Sequence, residues 1–501
     1  MRLRLTFLPF YLVVFISLTS FAYKSVAASS AVANSSFSTP EFTSTSFSAS
    51  SSFSMPLWFE GFKKTATPQQ MYQFLHAMPK GGDLHHHLSG SGFSEWWYEL
   101  AADPTKNGGY TYYTQVSIKP CHSDPQSALR FHTISETTWA KLPQCIQKNY
   151  TELGLLDNNL KREFMDSIRL HTASEGREEF FSTHWQRLNE LTANPTLVSK
   201  ILLRNMQAYQ KENLQYLETQ VNVRYTKKPD GSTYTPDEAL AIYTDMLASD
   251  EAQATQVTVR FQYAVVRFLP DAEAQLAWIY DFVDSHRELY VGINLVGRED
   301  DINGQPKRFA SILRKLRATY PKVSLAFHAG ESETADSNVR DTLLLGAERI
   351  GHGLNTIFDP DTLLLMRNSQ YLIEINLISN LLLEYIPSYD THPFPEYLRT
   401  GIPTALSTDD RGMFDSTLTD EFYVAVTEFN LSWEEVLTLS TNSLQYSFLQ
   451  PNVKAQQLTL FHQRVAEFET QVASDTVPTS PPMFRAFICK FENELCSGNR
   501  D

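Results

Sequence analysis

Eight short apolar runs, separated by stretches with a helical pattern, constrain this 501-residue chain more than any other feature. From the second run onward they recur at intervals of roughly 25–45 residues, the spacing of βα units around a closed parallel sheet. The runs are Asp83–Leu88, Leu214–Val221, Val257–Phe268, Leu289–Leu295, Val323–Phe327, Arg349–Gly351, Tyr371–Asn376 and Pro403–Ser407. The sequence therefore predicts an α/β fold of the (β/α)₈ TIM-barrel type.

The gap between the first and second runs predicts an insertion. It holds about 125 residues, far more than one crossover helix needs, so we expect a small inserted domain there and helical extensions at both ends of the chain. The predicted division is a signal peptide at 1–27, a Ser-rich linker at 28–55, an N-terminal helical segment at 56–82, the first strand and metal motif at 83–91, the inserted domain at 92–162, the remaining barrel at 163–475 and a tail at 476–501.

The first 27 residues are typical of an export signal. Arg2 and Arg4 precede an apolar run, and Ser25-Val26-Ala27 offers the small residues of a cleavage site. The run is long for a signal peptide, so an uncleaved N-terminal anchor is the alternative. Either interpretation predicts a protein that is exported, being secreted or periplasmic.

The net charge of −15, from 42 basic and 57 acidic side chains, narrows the choice of partner. Such a chain lacks the positive field that phosphate backbones and anionic lipid surfaces require. We therefore expect no nucleic acid and, once the signal is removed, no membrane partner. A neutral or cationic small molecule fits better.

Export makes disulfides available to the four cysteines. Cys121 and Cys145 lie in one segment rich in Gly, Pro and Tyr, and we expect them to pair. Cys489 and Cys496 lie in a stretch with a helical pattern, where two turns span roughly 10 Å. That is too far for a disulfide unless the helix breaks, so their pairing stays open.

Four segments at the carboxyl ends of predicted strands carry the candidate chemistry, because barrel enzymes hold their active sites there. In the first, His85 and His87 share one face of the strand while His86 points away. Two imidazoles on one face suit zinc, and a solvated histidine cluster is the alternative. The second segment adds His328 and, three residues later, Glu331, which a capped helix start would also explain.

The third segment places His352 between two glycines, and the fourth places Asp409 and Asp410 together after an apolar run. Alone, a histidine between two glycines is more often a turn residue, and an Asx turn is the common explanation for aspartates at the start of a loop. Together with the first two segments, they supply three histidines and a carboxylate for a mononuclear zinc site with a position open to water. Glu331, His352 and Asp410 then remain for acid–base and orienting roles.

The order H-x-H, H-A-G-E, G-H-G and S-T-D-D resembles the adenosine deaminase branch of the metal-dependent amidohydrolases. The export signal and the insert with its paired cysteines resemble the secreted adenosine deaminase growth factor subfamily. The resemblance, which runs from about Thr67 to Ser474, implies a homodimer formed around Met71–Met78. It also implies one Zn²⁺ per chain, held by His85, His87, His328 and Asp409.

The resemblance further implies the reaction, which is hydrolytic deamination of the purine nucleosides adenosine and 2′-deoxyadenosine to the corresponding inosines and ammonia. Glu331 would protonate the ring nitrogen beside the reacting carbon, and His352 would orient the attacking water. Asp410 would bond to the ring nitrogen on the imidazole side. Gly297 matches the family's backbone contact to the purine.

Two positions depart from the family pattern. Ser89 stands where an aspartate usually contacts the ribose, so we expect Trp185, Glu218 or the insert to take over sugar binding. Arg411 stands where a proline is common, at the expected mouth of the pocket. Ser89 also keeps an alternative open, a deaminase of adenine or of an N6-substituted adenosine. A non-catalytic extracellular binding protein is the alternative from another class.

Overall fold

Eleven strands form two sheets within residues 53–119, 129–172, 174–477, 482 and 484–496, the part of the chain that the structure, a computed structural model, describes. β1 and β5 to β11 make one sheet of eight parallel strands, and β3, β2 and β4 make an antiparallel sheet in that order. The strands are β1 Gly81–Asp83, β2 Tyr112–Gln115, β3 Thr133–Ser135, β4 Tyr150–Glu152, β5 Leu214–Gln220, β6 Thr258–Val266, β7 Tyr290–Val296, β8 Ser324–Ala329, β9 Arg349–His352, β10 Leu372–Ile375 and β11 Thr404–Leu406.

The eight-stranded sheet confirms the predicted barrel. Every predicted run overlaps one of its strands, and the spatial order of the strands follows the chain. Beyond β11, the backbone N–H of Asp409 donates to the carbonyl of His85 at 2.9 Å, and that of His87 donates to the carbonyl of Asp409 at 3.1 Å. These bonds join the last strand to the first at the carboxyl end of the barrel.

The predicted extent of the first strand was wrong. β1 ends at Asp83, and a short helix already begins at Leu88. His86 and His87 are held to neighbouring strands only by isolated bridges to Asp409 and Gln220. The extended backbone still alternates, because His86 turns to the hydroxyl of Thr219 (2.7 Å), away from the other two imidazoles.

Helices surround the barrel and begin at sites encoded in the sequence. Six of the long helices have a proline at the first or second position, where its fixed φ costs nothing and no N–H is needed. The helices of eight or more residues are Met55–Thr65, Pro68–Ala77, Ser94–Ala101, Asn158–Ser167, Trp185–Thr192, Pro195–Lys211, Pro236–Leu247, Ala272–Ser285, Ala310–Thr319, Asn338–Leu345, Pro360–Arg367, Leu418–Phe429, Trp433–Gln445 and Pro451–Ala473.

Short helices fill many of the connections between these elements. The short α-helices are Leu88–Ser91, Pro104–Asn107, Glu136–Trp139, Gln144–Gln147, Arg177–Glu179, Asp250–Gln253, Leu377–Leu382, Phe394–Thr400 and Ala486–Phe491. The 3₁₀ helices are Leu153–Leu155, Ile302–Gly304, Pro306–Phe309, Leu354–Phe358, Tyr389–Thr391 and Asn493–Leu495, and Phe180–His184 is a π-helix. In the part of the chain described, no helix combines the length and apolarity needed to cross a membrane.

The segment predicted as an inserted domain contains the three-stranded sheet, and it belongs to the same compact unit as the barrel, from Phe53 onward. Its cysteine Cys145 is disulfide-bonded, whereas Cys121, the partner we expected, lies outside the described residues. The tail pair Cys489 and Cys496 forms a disulfide with Cα atoms 5.5 Å apart. This is sterically allowed because the tail helix ends at Phe491. The predicted signal peptide and nearly all of the linker also lie outside the described residues.

Candidate active site

A cavity of about 510 Å³ opens at the carboxyl ends of the barrel strands. It brings together segments that are more than 300 residues apart in sequence, as the four motifs predicted. The predicted site residues that line it are His87, Ser89, Trp185, Gly297, His328, Glu331, His352, Asp409 and Asp410.

Side-chain donor atoms converge at the floor of this cavity. His87 Nε2 lies 3.2 Å from His328 Nε2 and 3.0 Å from Asp409 Oδ1, and His85 Nε2 lies 3.5 Å from the same carboxylate oxygen. Donor atoms of His85, His328, His352 and Asp409 all lie within 4.8 Å of one another. Buried imidazoles grouped around a carboxylate are typical of a transition-metal site.

The separations fit zinc. With zinc bonds of about 2.0–2.1 Å and angles of roughly 90–120° between ligands, neighbouring ligand atoms lie roughly 2.9–3.6 Å apart, which matches the three distances measured among His85, His87, His328 and Asp409 and leaves a fifth position for water. His85 Nε2 is buried and has no hydrogen-bond partner, which is costly unless a ligand is bound there. Burial raises the pKa of Asp409, but its interactions with His85 and His87 outweigh that effect and hold the pKa well below its usual range.

Two of these imidazoles are oriented by polar groups on neighbouring strands. Glu374 on β10 accepts from His85 Nδ1 at 2.7 Å, and Asn294 on β7 accepts through its Oδ1 from His328 Nδ1 at 2.9 Å. Both contacts leave Nε2 directed at the cluster, which is the arrangement that metal-bound histidines require.

A hydrogen-bond relay fixes the tautomer of His352. The backbone N–H of Phe394 donates to His392 Nδ1 (3.0 Å), so His392 Nε2 carries a proton and donates to Asn380 Oδ1 (3.1 Å). The amide nitrogens of Asn380 and Asn376 then both face His352 Nδ1, at 3.2 and 3.3 Å. Because Nδ1 accepts, His352 carries its proton on Nε2 and acts as a donor rather than a metal ligand.

His352 Nε2 points to Glu331, whose Oε1 lies 3.6 Å away. Burial lowers the pKa of His352 to about 3, so the imidazole is neutral. Burial raises the pKa of Glu331 well above its usual range, and the charges of Asp409 and Glu299 raise it further. This environment favours the carboxylic acid form of Glu331, the form that can donate a proton into the cavity.

Of the other residues that we predicted to contact the substrate, four line the cavity. Asp410 is buried and its Oδ1 has no hydrogen-bond partner. The carboxylate fits only because residue 90 is glycine, where a Cβ would lie 1.6 Å from that oxygen. Gly297 has φ +88°, a conformation that glycine tolerates, at the end of β7. Ser89 and Trp185 face the cavity from the first motif and from the segment after the insert.

Glu218 does not contribute to the cavity, so its predicted contact to the sugar was wrong. Its carboxylate is fully buried inside the barrel, where it pairs with Arg349 (2.5 Å) and accepts from the hydroxyl of Tyr216 (2.7 Å). Arg349 Nε in turn pairs with Glu374 (2.7 Å). Glu218 therefore belongs to the ion network that supports the metal-site histidine His85.

Sequence reasoning missed several polar residues around the site. Gln220, at the end of β5, lines the cavity, and neither atom of its buried amide has a hydrogen-bond partner. Glu374 carried a usable signal, since a charge inside the apolar run Tyr371–Asn376 demands a buried partner. Glu299, Asn380 and His392 lie in connections with no pattern of their own.

The family model for adenosine deaminase matches residues 150–463. The chain belongs to the adenosine deaminase family. The match contains His328, Glu331, His352 and the pair Asp409–Asp410, while the H-x-H motif precedes it. The matched region contains seven of the eight strands of the barrel, and the residues of the site named above lie at the carboxyl ends of those strands.

The similar proteins differ in how much of their own length the match covers. An adenosine deaminase of Aedes albopictus is 30% identical over 270 residues, 50% of this chain and 48% of that protein, so the match spans about half the length of that relative. The N6-methyl-AMP deaminase of Bos taurus is 24% identical over 352 residues, 69% of this chain and 93% of its own. A Burkholderia ambifaria amidohydrolase structure with bound Zn has a TM-score of 0.58 at 17% identity, covering 81% and 96% of the two chains, and shows the shared fold.

Proposed function

We propose that this protein is an exported, zinc-dependent adenosine deaminase that converts adenosine and 2′-deoxyadenosine, with water, into the corresponding inosines and ammonia. The observation that carries the proposal is the convergence of the His85, His87, His328 and Asp409 donor atoms, with separations of 3.0, 3.2 and 3.5 Å, beside the buried carboxyl group of Glu331. A cluster of buried titratable groups lining one cavity is typical of a catalytic site.

His85, His87, His328 and Asp409 would hold the zinc, while His352, with its Nε2 proton, stays free to donate. Zinc bound there would supply a nucleophilic water at neutral pH by lowering the pKa of that water. The Zn-bound amidohydrolase of the same fold and the family's metal dependence support this assignment.

Glu331 would give its proton to the ring nitrogen next to the amino-bearing carbon, so that charge developing on the ring is neutralised as water adds. His352 would hold that water through its Nε2–H. The unpartnered oxygen of Asp410 would accept from, or share a proton with, the ring nitrogen on the imidazole side. Gly297, at the end of β7, would contact the base through its backbone.

Sugar recognition rests on different groups. Ser89 is shorter than the aspartate usual in the family and lines the cavity beside Gln220. A buried amide without partners costs about 1–3 kcal/mol, which hydrogen bonds to ribose hydroxyls would offset. Trp185 supplies an apolar wall. We therefore propose Gln220, with Ser89 and Trp185, as the sugar contact.

Deamination of an N6-substituted adenosine nucleotide is the second candidate. Arg224 lines the cavity and is stacked on Trp278 at 4.6 Å, where its guanidinium could meet a phosphate. The N6-methyl-AMP deaminase relative, which the match covers almost completely, supports this candidate.

The test is the loss of ultraviolet absorbance of adenosine with the mature protein, purified from Ala28 onward. Parallel assays use adenine and N6-methyl-AMP, each with and without a chelator and restored zinc. We expect chelator-sensitive conversion of adenosine that zinc restores. Preferential conversion of N6-methyl-AMP would favour the second candidate, and no conversion by a zinc-loaded protein would overturn both.

Export and dimerisation are proposals that follow from the N-terminal sequence and from the resemblance. An enzyme released to the periplasm or the cell exterior would act on nucleoside outside the cytoplasm. Sedimentation of the mature protein, with and without charge substitutions near Met71–Met78, measures the dimer directly.

A further inference from the structure

Arg411 does not open onto the catalytic cavity, as its place after the aspartate pair led us to expect. The side chain is buried, 1% exposed, and lines a second cavity of about 570 Å³. This second cavity lies between the N-terminal helix Pro68–Ala77, the helix Pro195–Lys211, the loop after β11 and the tail that carries Arg485.

The lining of the second cavity is strongly cationic. Four of its side chains, Arg204, Lys211, Arg411 and Arg485, are positive, and Glu212 is its one carboxylate. Glu212 is already engaged, since Arg411 Nη2 donates to it at 2.8 Å and the N–H of Thr419 at 2.9 Å. In a chain of net charge −15, this is a local reversal of sign.

The guanidinium of Arg411 has hydrogen-bond donors that are not used within the protein. Its Nε and Nη1 have no hydrogen-bond partner, although the group is buried. Arg204 and Arg485 pair with Glu99 and Glu95, whose side chains are 47% and 45% exposed, and the Nε of Arg485 also donates to the buried carboxylate of Asp415 at 2.6 Å. Such half-exposed pairs are weak, so an incoming anion can compete with these glutamates.

Aromatic rings complete the wall. The guanidinium groups of Arg411 and Arg485 lie 5.2 and 3.6 Å from the ring of Phe93, and Trp96 packs against that ring at 4.5 Å. Stacking holds the guanidinium planes in fixed orientations, which favours the planar, forked recognition of oxyanions. The cavity thus combines cations with an apolar face.

We propose that the second cavity binds a small phosphate-bearing anion and that Arg411 links this anion to the catalytic site. Arg411 directly follows Asp410 in the sequence, and the N–H groups of Gly412 and Met413 tie the same turn to the carbonyl of Gly90 (3.1 and 3.0 Å). An anion that draws Arg411 from Glu212 shifts the turn that positions Asp410. The coupling rests on the proposed function, whereas the binding does not.

The test is calorimetric titration of the full mature chain with inorganic phosphate and, separately, with phenyl phosphate. We expect both to bind, phenyl phosphate more tightly because it also covers Phe93 and Trp96. Lys211→Ala should weaken both by at least about ten-fold. Lys200→Ala, on the same helix but outside the cavity lining, should bind like wild type.

Arg224→Ala distinguishes the two cavities, because Arg224 is the cation of the catalytic one. Phosphate binding that is lost in Arg224→Ala but kept in Lys211→Ala would overturn the proposal, as would no binding of either compound. Binding is measured without turnover, so a chain that binds phosphate through Lys211 but deaminates no purine keeps this inference and loses the proposed function. Coupling predicts that saturating phosphate changes the KM for adenosine in wild type and not in Lys211→Ala.

Discussion

The carboxylate of Glu299 accepts the backbone N–H of Glu331 at 3.0 Å. Its second oxygen accepts the N–H of Gly330 at 3.0 Å and the amide of Asn338 at 2.9 Å. The buried carboxylate of Glu299 thus holds the loop that carries Glu331 in place. The negative charge of Glu299 also helps to keep Glu331 protonated.

Glu299→Gln should lower kcat by about 10–100-fold while KM changes less than about three-fold, because the loop loses one of its acceptors and Glu331 its fixed position. Glu333→Gln, in the same loop and 59% exposed, is the matched control and should behave as wild type. Steady-state kinetics with adenosine measure both. An unchanged kcat in Glu299→Gln would contradict the positioning role.

Asn380→Asp should disable His352 without changing the size of residue 380. A carboxylate oxygen facing His352 Nδ1 forces a proton onto that nitrogen, and Nε2 then no longer serves as the neutral donor. We expect kcat to fall by about 10²-fold. The exposed Asn368→Asp is the control, and equal rates for the two variants would refute the relay.

Glu374→Gln should weaken zinc binding by about 10–100-fold, because the residue orients His85 and raises its basicity as a ligand. Competition with a chromophoric chelator measures this affinity without reference to activity. The exposed Glu396→Gln should retain wild-type affinity. Equal affinity in Glu374→Gln would show that Glu374 does not orient His85 for metal binding.

The sequence predicted the barrel because strands buried on both faces are continuous apolar runs, and these stand out between helical patterns. It predicted the metal-site histidines because their motifs follow such strands. It failed at Glu218, since a carboxylate in a strand looks the same whether it faces a substrate or Arg349. The relay through His392 was out of reach, because it depends on how two loops pack together.

Asp420 gives stability a pH dependence that does not involve the cavity. Burial raises its pKa to about 7, although bonds from Tyr72 (2.6 Å) and Thr417 oppose the shift. Between about pH 4 and 7 the folded state therefore binds a proton that the unfolded chain releases, so this residue lowers the free energy of unfolding as pH rises through that window.

Asp420→Asn removes this ionisation and should gain stability relative to wild type as the pH rises from 4 to 7, by on the order of a few kcal/mol. Thermal midpoints across that range measure the difference. The exposed Asp245→Asn should show a constant difference. A difference for Asp420→Asn that is also independent of pH would mean that Asp420 ionises normally in the folded protein.

The most direct test of the proposed chemistry measures zinc content and adenosine turnover together in wild type and in Glu331→Gln. Both proteins should hold one zinc per chain, because Glu331 is not among the proposed ligands. Wild type should produce inosine, and the variant should be slower by about 10²–10⁴-fold, the contribution of a positioned acid. Turnover that survives unchanged in zinc-loaded Glu331→Gln would contradict the assignment of Glu331 as the proton donor.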